Sequence, residues 1–159
     1  MTDKRETLTW DDFGSGARAL AHQVVDSGYQ PDVILAIARG GLLPGGAVAY
    51  ALESKNIVAV NVEFYVGVDE RLEVPVLLPP FLTPDVVAGA EVLIVDDVAD
   101  TGLTLDLVKR FCEDHVADVR AAVLYEKSRS IVKCEYVWRR TDRWINFPWS
   151  TLAPITKAG

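Results

Sequence analysis

The chain has 159 residues, half of them hydrophobic and a quarter charged. That suits a single globular domain with a substantial core and excludes a disordered chain. The formal net charge of −7 argues against non-specific binding to nucleic acid or to an anionic membrane, yet permits a local basic pocket.

Two cysteines, Cys112 and Cys134, stand far apart, which speaks against a zinc site or a disulfide framework and for a reducing compartment. The opening residues carry no apolar leader and no run reaches membrane-spanning length, so a cytoplasmic protein is expected.

In chain order, Thr9-Trp10-Asp11-Asp12 opens a helical pattern with Ala17, Leu20, Ala21, Val24 and Val25 on one face. Asp11 or Asp12 is expected to cap it. Gly14-x-Gly16 has no strand before it, so it is no dinucleotide fingerprint. Gly28 and Pro31 break the helix. Val33 to Ala38 is the first buried strand and runs into Arg39-Gly40-Gly41-Leu42-Leu43-Pro44-Gly45. A cation and two glycines directly after a strand suit an anion; a tight turn with a surface arginine is the plainer alternative. A short helix is expected over Pro44 to Leu52 and a strand over Ile57 to Phe64.

The stretch from Tyr65 to Gly89 holds Pro75, Pro79, Pro80 and Pro84 with scattered charges and little periodicity. It reads as a long connection, either a lid or a surface excursion.

Glu91 to Leu105, EVLIVDDVADTGLTL, is the richest segment. Val92 to Val95 suits a buried parallel strand. Asp96 and Asp97 follow at its end, and Leu103, Leu107, Val108 and Phe111 then recur at helical spacing. The loop between opens a helix whose N–H groups favour an anion. Gly102 lets backbone approach a phosphate, and Thr101 and Thr104 offer hydroxyl donors. Carboxylates do not bind phosphate; they suit sugar hydroxyls, a hydrated magnesium ion or proton transfer. A turn or helix cap is the alternative for Asp96 and Asp97. An EF-hand loop fails for want of alternating acids before the glycine, and no Gly-Lys-Ser/Thr of a Walker A loop occurs.

Val119 to Tyr125 reads as another strand, ending in Glu126-Lys127-Ser128. Tyr136-Val137-Trp138 is a short strand before Arg139-Arg140-Thr141-Asp142-Arg143-Trp144-Ile145-Asn146-Phe147-Pro148-Trp149. Aromatics at such density in a polar, proline-bearing segment suit base stacking, or a C-terminal segment docked on the core.

VLIVDDVADTGLTL resembles the phosphoribosyl-pyrophosphate (PRPP) motif of type I phosphoribosyltransferases, matching at Asp96, Asp97, Asp100, Thr101, Gly102 and Thr104. The run from Ala38 through Pro44 resembles that family's pyrophosphate loop, FYVGVDER the mobile-loop segment of small archaeal purine members, and WINFPW the W-I-x-x-P-W signature of xanthine-guanine phosphoribosyltransferases. An acidic residue usually follows the final Trp in those enzymes; here it is Ser150.

The resemblance implies an α/β domain over 1–159, a central mostly parallel sheet flanked by helices, with a mobile loop about 65–90 and a small C-terminal hood about 127–150. It implies transfer of phosphoribosyl from PRPP to N9 of guanine, xanthine or hypoxanthine. By that match Asp96, Asp97 and the loop Ala99, Asp100, Thr101, Gly102, Leu103 and Thr104 hold the ribose and 5′-phosphate. Arg39, Gly40 and Gly41 hold the pyrophosphate, and Lys127, Trp144 and Ile145 the base, while Asp100 is catalytic. Asp97 holds Mg2+, with Asp96 acting through water, and Tyr65 and Arg71 belong to the lid. A homodimer or homotetramer is implied too. Two alternatives stand beside this reading: a PRPP- or nucleotide-binding regulator with little catalysis, and a phosphoribosyltransferase for a different base.

Overall fold

The computed structural model describes residues 4–66, 73–78 and 83–157. The elements run β1 (Glu6–Thr7), α1 (Trp10–Asp26), β2 (Val33–Ala38), α2 (Leu42–Ala51), β3 (Ile57–Val66) and β4 (Glu73–Leu78). They continue with α3 (Pro84–Val87), β5 (Glu91–Ala99), α4 (Leu103–Glu113), β6 (Asp118–Glu126), β7 (Tyr136–Arg140) and β8 (Ile145–Asn146). Six strands form one sheet in the order β4-β3-β2-β5-β6-β7, parallel except where edge strand β4 runs antiparallel to β3. The expected α/β architecture is therefore present.

Apolar runs in β2, β5 and β6 have both faces buried, as parallel strands require. Ile34, Leu93 and Leu124 face one way, against Leu20 and Val24 of α1 and Val48 of α2. Leu35, Ile94 and Val123 face the other, against Leu105, Val108 and Cys112 of α4. Residues that alternate along each strand thus belong to alternate cores. Cys112 is fully buried, as its position on the helix pattern suggests.

Chain order reverses between β2 and β5. From β2 the chain winds through α2 to β3; from β5 it winds through α4 to β6, on the opposite side. The loops leaving β2 and β5 meet at this switch point, where open α/β sheets take their ligands.

Three expectations need correction. The N-cap of α1 is Thr9, whose side chain accepts from Asp12 N at 3.1 Å; Asp11 and Asp12 sit in the first turn, where their charge complements the helix dipole. Val25 turns outward and is 63 % exposed, while Val24 is the buried one. The connection expected to be irregular contains β4, which extends the sheet by pairing Asn61 with Leu78 through to Val66 with Glu73. Pro75 is tolerated because β4 is an edge strand.

A second, two-stranded sheet pairs β1 with β8 in parallel, Glu6 opposite Ile145 and Thr7 opposite Asn146. Glu6 N donates to Trp144 O at 2.8 Å and Leu8 N to Asn146 O at 3.0 Å. Residues 6–8 thereby hold the segment Trp144 to Asn146 in place. Among the described residues no helix is long and apolar enough to cross a membrane.

Candidate active site

The acidic pair lies inside β5 rather than in a turn, because the strand continues to Ala99 and pairs Asp96 with Val123 and Ala99 with Glu126 of β6. Strand alternation turns the two carboxylates to different cavities. Asp96 lines one of about 290 Å³ formed with Phe64 and the 98–105 loop. Asp97 lines another, of about 720 Å³, with Arg39, Gly40 and Trp149. Asp96 Oδ1 accepts from Asp97 N at 2.8 Å, and Asp97 Oδ1 accepts from Val98 N at 2.7 Å. Burial pushes both carboxyls above the usual range, and the neighbouring Asp97 charge pushes Asp96 further. Among the described residues no three His, Cys, Asp or Glu side chains gather into a cation cage.

The loop Ala99, Asp100, Thr101, Gly102, Leu103 and Thr104 wraps the first cavity and opens α4. Gly102 is the N-cap, at φ 82° in the left-handed region. A Cβ there would lie 2.6 Å from Ser130 Oγ and 2.9 Å from the backbone nitrogens of Ile131 and Val132. The glycine is therefore demanded by its backbone and by the segment behind it, not only by close approach of a ligand. Ile131 N donates to Thr101 O at 2.9 Å, and Thr101 Oγ1 accepts from Leu103 N at 3.3 Å. Leu103 points outward at 37 % exposure, and Leu105 takes the buried place on α4.

Arg39 and Gly40 follow β2 directly, and the Ala38–Arg39 peptide is cis. Gly41 N returns to Ile37 O at 2.8 Å, which turns the chain into α2. Gly40 packs on the Asp97 carboxylate so closely that a Cβ would lie 2.5 Å from its Cγ. The loop after β2 and the acid of β5 are thus in direct contact.

Lys127 begins the chain beyond β6, only 9 % exposed, its backbone N bonded to Ala99 O at 2.9 Å. Its Nζ is 3.8 Å from Asp100 Oδ1 and 5.8 Å from the centre of the Trp144 ring. Asp100, Lys127, Trp144 and Ile145 all line a third cavity, of about 550 Å³. The aromatic tail divides into two roles. Phe147 stacks on Trp149 at 4.9 Å, and Trp149 meets Trp10 and Phe13; these rings dock the tail on the core. Trp144 alone of this group stands out, 61 % exposed at the cavity.

Ile145 is 6 % exposed, its side chain in the core beneath α1. Trp144 O and Asn146 O both point to β1, so strand alternation turns the N–H and C=O of Ile145 the other way, towards the cavity. Tyr65 is a residue of β3; its side chain and the whole of Arg71 lie outside the described residues. Sequence reading missed Arg129, which binds Asp100 Oδ1 from Nε at 2.7 Å. It also missed the N-terminal strand as part of the site. Neither arginine nor strand carries a local pattern, and each is recognised only by what the fold brings beside it.

The architecture and these three cavities define a doubly wound α/β domain with anion-suited loops at its switch point and an aromatic-walled pocket beside them. Residues 6–154 match the phosphoribosyl transferase domain. The chain belongs to the phosphoribosyltransferase family. It is 32 % identical over 152 residues to a xanthine-guanine phosphoribosyltransferase of Gluconobacter oxydans, covering 94 % of this chain and 86 % of that one. The solved purine phosphoribosyltransferase of Pyrococcus horikoshii is 33 % identical with a TM-score of 0.82, covering 97 % of this chain and 99 % of its own. A hypothetical protein of Neisseria gonorrhoeae, solved with bound ppGpp, is 28 % identical with a TM-score of 0.80, covering 94 % and 92 %.

Proposed function

We propose that the protein is a purine salvage enzyme, transferring phosphoribosyl from PRPP to N9 of a 6-oxopurine and releasing pyrophosphate and a nucleoside monophosphate. The observation that carries this is the convergence of Asp100, Lys127 and Trp144 on one cavity beside the loop that opens α4. The purine stacks on Trp144. Lys127 donates to the 6-oxo group, and the Ile145 backbone serves the 2-position edge. Asp100 accepts the proton that the base must lose, at N7, as N9 attacks the anomeric carbon. N–H groups at the start of α4, with Thr101 and Thr104, hold the 5′-phosphate. Asp96 and Asp97 hold the ribose hydroxyls.

Pyrophosphate departs towards Arg39, Gly40 and Gly41, where the guanidinium and loop amides take up its charge. The donor set suits Mg2+, which keeps most of its waters and binds one or two carboxylates beside substrate phosphates. Asp97 would hold it, with Asp96 acting through water, since each carboxylate has one backbone N–H bond and further lone pairs. When bound, the ion neutralises charge on the leaving pyrophosphate.

Exposed Leu42 and Tyr50 on α2 and Ile57 on β3 support assembly as a homodimer or homotetramer, which sedimentation would test. A cytoplasmic location belongs to the same reading, because PRPP and free bases are intracellular metabolites.

A second reading has one observation in its favour, the ppGpp bound by the Neisseria gonorrhoeae relative. On that reading the chain binds nucleotides and turns over little. The test is a magnesium-dependent absorbance assay with PRPP against guanine, xanthine, hypoxanthine, adenine, uracil and orotate. Turnover confined to oxopurines is expected. Turnover of a pyrimidine alone would discard the roles of Lys127 and Trp144, and PRPP binding without turnover of any base would favour the regulator.

A further inference from the structure

We propose that Asp142 is a positioning residue of the base site, tying the segment that carries Trp144 to the turn that carries Lys127 and so setting the gap the purine enters. This rests on the base-site reading above and extends it to a residue that touches no substrate.

The two walls of that gap reach it by separate routes. Lys127 opens the turn after β6, in which Ser130 N donates to Lys127 O at 3.1 Å. Trp144 lies on the stretch that follows β7, which leaves the sheet where Thr141 N donates to Glu126 O at 3.3 Å. Asp142 joins the two. Its Oδ1 accepts from Ser128 N and from Ser128 Oγ, each at 2.8 Å. Lys133 Nζ donates to Ser128 O at 3.1 Å. Ser128 is thus held at its N–H, its C=O and its hydroxyl, although it is exposed and water would satisfy all three. Bonds to a charged group at so open a site add little stability. Their consequence is where they place the residues on either side of Ser128. One is Lys127, whose Nζ lies 5.8 Å from the centre of the Trp144 ring; the other is Arg129, whose Nε holds Asp100 at 2.7 Å.

Asp142 does not line the base cavity. It lines another, of about 420 Å³, with Glu126, Lys133 and Arg140, and Lys127 lines both. Its carboxylate therefore acts on the base through Ser128. The backbone and hydroxyl bonds from Ser128 hold the Asp142 carboxyl below the usual carboxylate range, so it remains an ionised acceptor at neutral pH. Asp142 stands two residues before Trp144, and Ser128 stands next to Lys127. One acceptor atom thereby fixes the ring and the ammonium relative to each other. A flat base needs both at once, the ring against its face and the ammonium at its 6-oxo edge.

The experiment measures kcat and KM for guanine and for PRPP in the wild type, Asp142→Ala, Asp142→Asn, Ser128→Ala and the double variant of Asp142→Ala with Ser128→Ala. Calorimetry on the same proteins compares guanosine monophosphate with ribose 5-phosphate, which lacks the base. Asp142→Ala is expected to raise KM for guanine about tenfold, the size of a hydrogen bond to a charged group, and to weaken guanosine monophosphate by the same factor. KM for PRPP and the affinity for ribose 5-phosphate should stay within about twofold, because neither depends on the gap. Asp142→Asn keeps a carbonyl acceptor and should recover most of the loss. The double variant should be no worse than Asp142→Ala, since both changes cut the same tie. An unchanged KM for guanine overturns the proposal, as does an equal loss for both substrates, which would mark Asp142 as a general structural support. Asp142→Asn as damaging as Asp142→Ala also overturns it, because the charge and not the tie would then matter. If the wild type turns over no oxopurine, the salvage reading fails by itself. Calorimetry then still decides Asp142: selective weakening of guanosine monophosphate in Asp142→Ala upholds its role. Equal weakening of both ligands, weakening of neither, or a wild type that binds neither ends it.

Discussion

Arg129 Nε donates to Asp100 Oδ1 at 2.7 Å, while Lys127 Nζ approaches the same oxygen to 3.8 Å. Asp100 is therefore held from two sides by residues only two apart, both on the turn that follows β6. The Arg129 side chain is 63 % exposed, so the pair adds about 0–1 kcal/mol to stability. Its consequence lies in orientation, since a carboxylate that meets N7 of a stacked purine must keep its rotamer.

Replacing Arg129 with Ala should leave the melting temperature within about 2 °C and lower kcat by up to about fivefold, the kinetic equivalent of such a pair. KM for PRPP should not change, because Arg129 meets the loop at the Asp100 carboxylate and not at the N–H groups that open α4. A rise in KM for PRPP with constant kcat would show that Arg129 acts on the sugar-phosphate instead.

Asp100→Asn keeps the shape and can still accept from Arg129 through its carbonyl oxygen, but it has lost a proton-accepting carboxylate. Turnover should fall about 10²–10⁴-fold, the usual range for a positioned general base, with PRPP binding preserved. Steady-state kinetics and PRPP calorimetry on the same variant decide it, and unaltered kcat would take Asp100 out of the chemistry.

Gly40 offers a different kind of test. Its Cα faces the Asp97 carboxylate, and a Cβ would lie 2.5 Å from Cγ. Asp97 is itself partly buried and bound to Val98 N, so it yields little. Gly40→Ala should displace Asp97 and raise KM for PRPP by about tenfold or more, about 1.4 kcal/mol of lost interaction. The fold should persist, because the clash falls on a side chain at the sheet's end and not in either core. Unchanged kinetics would mean that the β2 loop and Asp97 move independently.

Most of the main sheet was legible because buried parallel strands leave unbroken apolar runs. Val33–Ala38 is a strand over the very residues its hydrophobicity marks, and the reversal of α1 at Gly28, φ 80°, follows from local chemistry. What escaped notice was non-local. Nothing in Glu6-Thr7 announces that it pairs with Ile145-Asn146, 139 residues on, where the Thr7 and Asn146 side chains also meet. Val25 looked as apolar as Val24, and only the angle between successive helical residues sends it outward. β4 was hidden by Pro75, which an edge strand accepts and a central one does not. Likewise the aromatics of the tail share one composition. Their division into core rings and one exposed ring depends on what α1 brings beneath them.

That exposed ring carries the last prediction. Trp144 has no aromatic neighbour within its segment's stacked set and stands 61 % exposed over a cavity, with the Lys127 ammonium 5.8 Å from its centre. A tryptophan left so open makes physical sense if its face is completed by a second flat ring. Stacking of a base on an aromatic side chain is worth about 1–3 kcal/mol, so Trp144→Ala should raise KM for the purine about 5- to 150-fold while KM for PRPP stays level. Trp144→Phe, which keeps a π-face, should recover most of the loss. The cation beside the ring makes the two residues interdependent, because Lys127 rests near the indole until an oxopurine takes its proton donors. A double variant, Trp144→Ala with Lys127→Ala, should therefore lose less than the sum of its parts. Strict additivity, or equal shifts in both KM values, would show that the base binds elsewhere.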